Sequence, residues 1–146
     1  MERFDWPLVL IDRDALGTSG PDTLDPVRVQ KALFLMTMRG PRRNIYDDFR
    51  PYNWGPYSSA LEGDLQLLVR SGCLNTEYQP GRSWARYRPT EVGHGRAIAT
   101  AQELGLATVE WLGQARQFVT TRDFSTLLRD VYAEFPDFAT ASLFRH

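Results

Sequence analysis

The sequence predicts a mainly α-helical fold with one small β-hairpin and extra flanking helices, on three observations. Apolar residues recur at helical spacing in several segments, each bounded by a capping residue or a helix stop. Between Phe49 and Ala99 the order reads helix, strand, turn, strand and helix. The chain has 146 residues, 42% of them hydrophobic and 12% aromatic, which suffices for one core without disulfides or metals. No internal repeat, low-complexity tract or linker divides residues 1–146, so a single domain with helical extensions at both ends is expected.

Phe4, Leu8, Ile11 and Leu16 suggest a first helix over residues 4–16, with Pro7 in its opening turn. Gly17-Thr18-Ser19-Gly20-Pro21 follows as a loop. Asp25-Pro26 opens the next helix, the aspartate capping free N–H groups and the proline taking the first helical position. From Val27 to Met38 apolar residues lie on nearly every face, which predicts a central, buried helix that Gly40-Pro41 ends. Phe49 to Ser59 leads into a helix whose apolar positions are Leu61, Leu65, Leu68 and Val69. Ser59-Ala60-Leu61-Glu62 matches a capping box at its start, and Ser71-Gly72 stops it.

Cys73 to Tyr78 reads as a strand, Pro80-Gly81-Arg82 as a turn and Trp84 to Arg88 as the returning strand. Thr90-Glu91-Val92-Gly93 opens a helix running to Gln102, which continues or restarts from Thr108 to Thr121. Phe124, Leu127, Leu128, Val131, Tyr132 and Phe135 then keep helical spacing until Pro136 stops the run. Helix, hairpin and helix at this spacing predict a winged helix-turn-helix-like domain.

The net charge of -1 is unevenly spread. Residues 1–25 hold six acids against two arginines, and residues 26–50 six bases against Asp47 and Asp48. Residues 81–100 are basic again, with four arginines against Glu91. Sixteen of the seventeen bases are arginine, Lys31 being the exception, a bias that suits phosphate contact but that GC-rich coding also produces. The single cysteine, Cys73, has no partner for an internal disulfide and reads as a buried thiol. No apolar run is long enough to span a bilayer and Met1-Glu2-Arg3-Phe4-Asp5 is no signal sequence, so a cytoplasmic protein without a membrane partner is expected.

Catalytic signals are nearly absent. Two histidines, His94 and His146, and one cysteine offer no metal-ligand spacing, and no phosphate-cradling Gly-Lys-Ser/Thr loop exists. His94 reads as a surface residue, Asp12, Asp14, Asp47 and Asp48 as solvated carboxylates, and Ser58 and Ser59 as capping residues. These readings predict neither enzyme activity, nor a metal, nor a cofactor.

The hairpin and the helix before it make a candidate nucleic-acid interface. Arg82, Arg86 and Arg88 would neutralise phosphates, while Ser58, Ser59 and Gln66 would approach base edges from the helix N-terminus. Against that reading, Glu62 and Asp64 put acidic charge on the presumed reading helix, which suits a protein partner instead. The alternative is therefore a protein-interaction module that uses Glu62 and Asp64.

Three segments carry a family resemblance: Val29-Gln30-Lys31-Ala32-Leu33-Phe34-Leu35, Tyr52-Asn53-Trp54-Gly55-Pro56-Tyr57-Ser58, and Leu65 to Gly72. With Val131 to Pro136, they resemble the YwgA-like and phage-associated families, which are similar to the SocA/Panacea antitoxin domain, and Tyr87 to Gly93 resembles the strand-to-helix junction of many winged-helix regulators. The resemblance covers residues 27–138. It implies a winged-helix core, partner binding or toxin neutralisation, and no catalytic residue. Trp111, Leu112, Phe118 and the Phe124–Phe135 segment add apolar surface beyond a minimal winged helix, which predicts a homodimer through the C-terminal helices.

Overall fold

The computed structural model describes residues 1–81 and 84–143. Among these residues the fold is mainly helical, with seven α-helices and two antiparallel hairpins. The helices are α1 (Asp5–Ile11), α2 (Arg13–Leu16), α3 (Pro26–Arg39), α4 (Ser59–Arg70), α5 (Glu91–Leu104), α6 (Leu106–Thr120) and α7 (Phe124–Glu134). Strands β1 (Arg50–Tyr52) and β2 (Gly55–Tyr57) form one hairpin, and β3 (Leu74–Glu77) and β4 (Arg86–Pro89) the other. A single bridge from Leu24 to Tyr87 lays the chain before α3 beside β4.

Helix α3 is the hub. Asp25 caps it through its Oδ1, which accepts from Arg28 N at 2.8 Å, and Pro26 takes the first position. Val29, Leu33, Phe34 and Met36 are fully buried, and the helix packs on α1, α6 and β2. Phe34 meets Phe49, Phe135 and Phe138 edge to face at 4.7–5.4 Å. The apolar face of α7 (Leu127, Leu128, Val131 and Tyr132) is buried within the one chain. Of the residues expected to pair two copies, Leu112, Leu127, Leu128, Val131 and Tyr132 are buried in the monomer, while Trp111, Phe118, Phe124 and Phe135 are half-buried.

Three details depart from the sequence expectations. The first helix breaks at Asp12, whose backbone is extended and whose side chain caps α2. The hairpin β1–β2 stands where only an approach to α4 was expected, with Asn53-Trp54 as its two-residue turn. The cap of α4 is Ser58, one residue before the predicted Ser59. Gly93 lies against the chain just before β3: a Cβ there would lie 2.0 Å from the Cys73 carbonyl oxygen, so only glycine lets α5 approach it. Among the described residues no helix is long and apolar enough to cross a membrane.

Candidate functional site

The predicted wing is β3–β4, and its arginines among the described residues, Arg86 and Arg88, are engaged within the protein. Arg86 donates through Nε to Thr23 Oγ1 at 2.6 Å and through Nη2 to Thr23 O at 3.1 Å, with Asp25 at 3.7 Å. Arg88 pairs with Glu77 across the hairpin and with Asp22 at 2.7 Å. The Glu77 and Asp22 bonds hold the Arg88 guanidinium more firmly protonated than usual, and Arg88 in turn keeps the Asp22 carboxyl below its ordinary range. With Arg28 at 2.6 Å from Asp25, three guanidiniums share three carboxylates: Asp22, Asp25 and Glu77. Between Arg86 and Arg88, Tyr87 points inward, 4% exposed, and burial pushes its hydroxyl up to about 12. Arg82 lies outside the described residues.

On α4 the predicted residues separate. Ser58 is fully buried: its Oγ accepts from Leu61 N at 3.0 Å and donates to Asp48, so it cannot reach a base edge. Asp48 also accepts from Ala60 N at 2.9 Å, and the Ser58 N–H, the group a capping-box carboxylate takes, goes to Gln30 Oε1 at 2.8 Å instead of Glu62. Burial alone would raise the Asp48 carboxyl, yet these bonds hold it below its usual range. Asp64 is 8% exposed, accepting from Tyr46 Oη at 2.6 Å and from Arg3 at 2.8 and 3.1 Å. That network makes Asp64 a structural anchor for the N-terminus rather than a partner contact. Ser59 and Gln66 stay exposed, and half-buried Glu62 accepts from Gln66 Nε2 at 2.9 Å.

The carboxylates read as solvated are partly interior too. Asp12 is 3% exposed, accepting from Ala15 N at 2.9 Å and lying 2.7 Å from His94 Nδ1. The Asp12 bond raises the His94 pKa, and the imidazole is otherwise half in solvent.

Sequence reasoning missed the β1–β2 hairpin. Tyr52, 45% exposed, stacks on Tyr57 at 4.7 Å, and Arg50 reaches Ser59 Oγ at 3.5 Å. Trp54 turns toward Trp84 and Phe124 at 6.4 and 5.6 Å, joining the two hairpins through one aromatic cluster. Gln30 clamps the main chain behind the hairpin, donating to Ser58 O at 3.0 Å and accepting from Ser58 N at 2.8 Å. Lys31 Nζ donates to Pro56 O at 3.0 Å. The Gln30-Lys31 and Gly55-Pro56 segments quoted above for their resemblance are thus the two halves of one contact, a pairing that no local pattern announces.

No family model, curated protein or solved structure matches the chain.

Beside the aromatic cluster, a cleft of about 390 Å³ is lined by Asp25, Arg28, Trp84, Arg86, Asp123 and Phe124. Its guanidiniums are already engaged, Arg28 with Val119 O, Asp25 and Arg122 O, and Arg86 with Thr23. Exposed aromatic, apolar and polar side chains occur on the β1–β2 hairpin (Arg50 and Tyr52) and on the outer face of α4 (Ser59, Gln66, Leu67 and Arg70), with Arg50 reaching Ser59 Oγ.

Proposed function

We propose that the chain is a non-enzymatic, winged-helix-like interaction module whose ligand is a protein, of the antitoxin-like or phage-associated kind that its sequence resembles. The winged-helix reading is supported by the element order: α1, the Leu24 bridge, α3, α4, then β3–β4, with Leu24 and β3 flanking β4. The observation that carries the choice of ligand is that Arg88 is paired with Asp22 and Glu77 and Arg86 is bound to Thr23 with Asp25 nearby. Phosphate binding draws on cations that can exchange counterions for phosphates, and a guanidinium already paired with carboxylates gives little of that. A tyrosine stack ahead of α4 and an exposed leucine two turns along it supply the aromatic and apolar groups that protein contacts use.

The experiment is affinity capture from the native host run beside a duplex-binding titration. A stoichiometric protein complex that withstands salt and is lost on Tyr52→Ala and Leu67→Asp is expected. Absence of such a complex overturns the reading.

One observation favours a second reading, a transcription regulator that binds DNA. Arg50 and Arg70 lie at the two ends of the outer face of α4, with Ser59 and Gln66 exposed between them. Salt-sensitive duplex binding abolished by Arg50→Glu and Arg70→Glu decides for it.

A further inference from the structure

Lys31 is the one lysine among seventeen basic residues, and it is 2% exposed in the middle of α3. The other deeply buried base, Arg116, satisfies the C-terminal carbonyls of α1, donating to Leu10 O at 3.0 Å and Ile11 O at 3.2 Å. Lys31 has a thinner set of partners. Among the described residues its amine bonds to Pro56 O and has no ion-pair partner, only the more distant charge of Asp25. It lines a cavity of about 110 Å³ whose other walls include Val27, Tyr52, Trp54 and Tyr57, with Glu62 as the carboxylate. Gly55 keeps that space open: a Cβ there would lie 2.6 Å from Lys31 Cε and 3.2 Å from Nζ.

Burial lowers the Lys31 pKa from 10.5 to about 7, so much of the amine is the free base at neutral pH. A free amine keeps a lone pair beyond the N–H it gives to Pro56. A guanidinium would stay charged and offer none, which gives this position a reason to differ from the sixteen arginines.

We propose that Lys31 is the reactive amine of a site for small, uncharged, apolar aldehydes, which it holds as an imine. The carbonyl carbon bonds to Nζ, the C=O bond breaks, and its oxygen leaves as water with the two amine protons. No oxidant or reductant takes part. One proton from solvent then gives the iminium, whose single N–H donates to Pro56 O in place of the original bond. Aldehydes condense with an amine without an activating acid–base pair. The cavity size selects a short chain, and its apolar walls and Glu62 disfavour an anionic carbonyl acid.

The test uses the untagged full chain, butanal and cyanoborohydride at about pH 7.5, where the free base of Lys31 prevails. Peptide mapping is unambiguous, because Lys31 and the terminal amine are the only amines present. Butyl labelling of Lys31 in the folded chain is expected to saturate with aldehyde and to rise through about pH 7. Filling the cavity with Val27→Trp is expected to cut it roughly tenfold or more while the terminal amine labels as before. Three results each overturn the proposal: no label at Lys31 in the folded chain, equal labelling in Val27→Trp, or glyoxylate reacting there as readily as butanal.

Discussion

At the residue scale, what distinguishes two adjacent serines is a partner ten positions away. Ser58 caps α4 and bonds Asp48, whereas Ser59 faces solvent. Ser58→Ala should therefore cost about 1–2 kcal/mol in a denaturant titration, and Ser59→Ala less than about 0.5 kcal/mol. The capping pattern was legible to within one residue; the slip arose because Asp48 reaches α4 through folding rather than through local spacing. The same holds for Asp64, whose burial depends on Arg3 and Tyr46, and for Arg88, whose charge is spent on Asp22. Protonation follows from the same geometry. The folded Lys31 releases its proton near pH 7 and the unfolded one near 10.5, so the unfolded chain binds more protons between these values. Stability should then rise with pH across that window, by up to about 1.4 kcal/mol per pH unit, and Lys31→Met should flatten the rise. His94 has the opposite sign. Its pKa is raised by Asp12, so its contribution is full below about 6.5 and fades as pH climbs through the higher folded value. Melting curves of wild type and His94→Ala should converge at alkaline pH.

At the element scale, helices announced themselves because their signals are local. Asp25-Pro26 opens α3 and Gly72, at φ +80°, closes α4, both as read from sequence. The hairpin β1–β2 did not, since its strands are three residues each, contain Pro51 and Pro56, and are held from behind by Gln30 and Lys31. Contacts between segments this far apart leave no periodicity to read. Leu33→Ala and Phe34→Ala, both fully buried in α3, should each lower stability by about 2–5 kcal/mol, measured by thermal or chemical unfolding. Gly93→Ala should cost at least about 1–3 kcal/mol, because its methyl meets a backbone carbonyl that has no rotamer to yield.

At the scale of the molecule, the distribution of charge mattered more than its sum. Acidic residues 1–25 and basic residues 81–100 lie apart in sequence but neutralise each other in space, through Arg86 with Asp25, Arg88 with Asp22, and Arg96 with Asp5. Part of the uneven charge along the sequence is thus the fold's own complementarity. Self-association follows the same logic. With α7 turned inward, the remaining large exposed apolar side chains include Val92, Ile98 and Leu106 on α5 and α6. Light scattering at high micromolar concentration should return a monomer of 16.7 kDa. A dimer that Leu106→Asp dissociates would instead place pairing on that face.

The grip of Gln30 on both main-chain groups of Ser58 has a kinetic meaning. A connecting segment ordinarily opens on its own, at little free-energy cost, while the core stays shut. Here the strand entering α4 is latched to the buried helix α3, so opening it breaks both Gln30 bonds to Ser58. In native-state hydrogen exchange the Ser58 and Leu61 amides should fall in the slowest-exchanging cooperative unit, together with Leu33 and Phe34, and the tip at Asn53 should exchange far ahead of them.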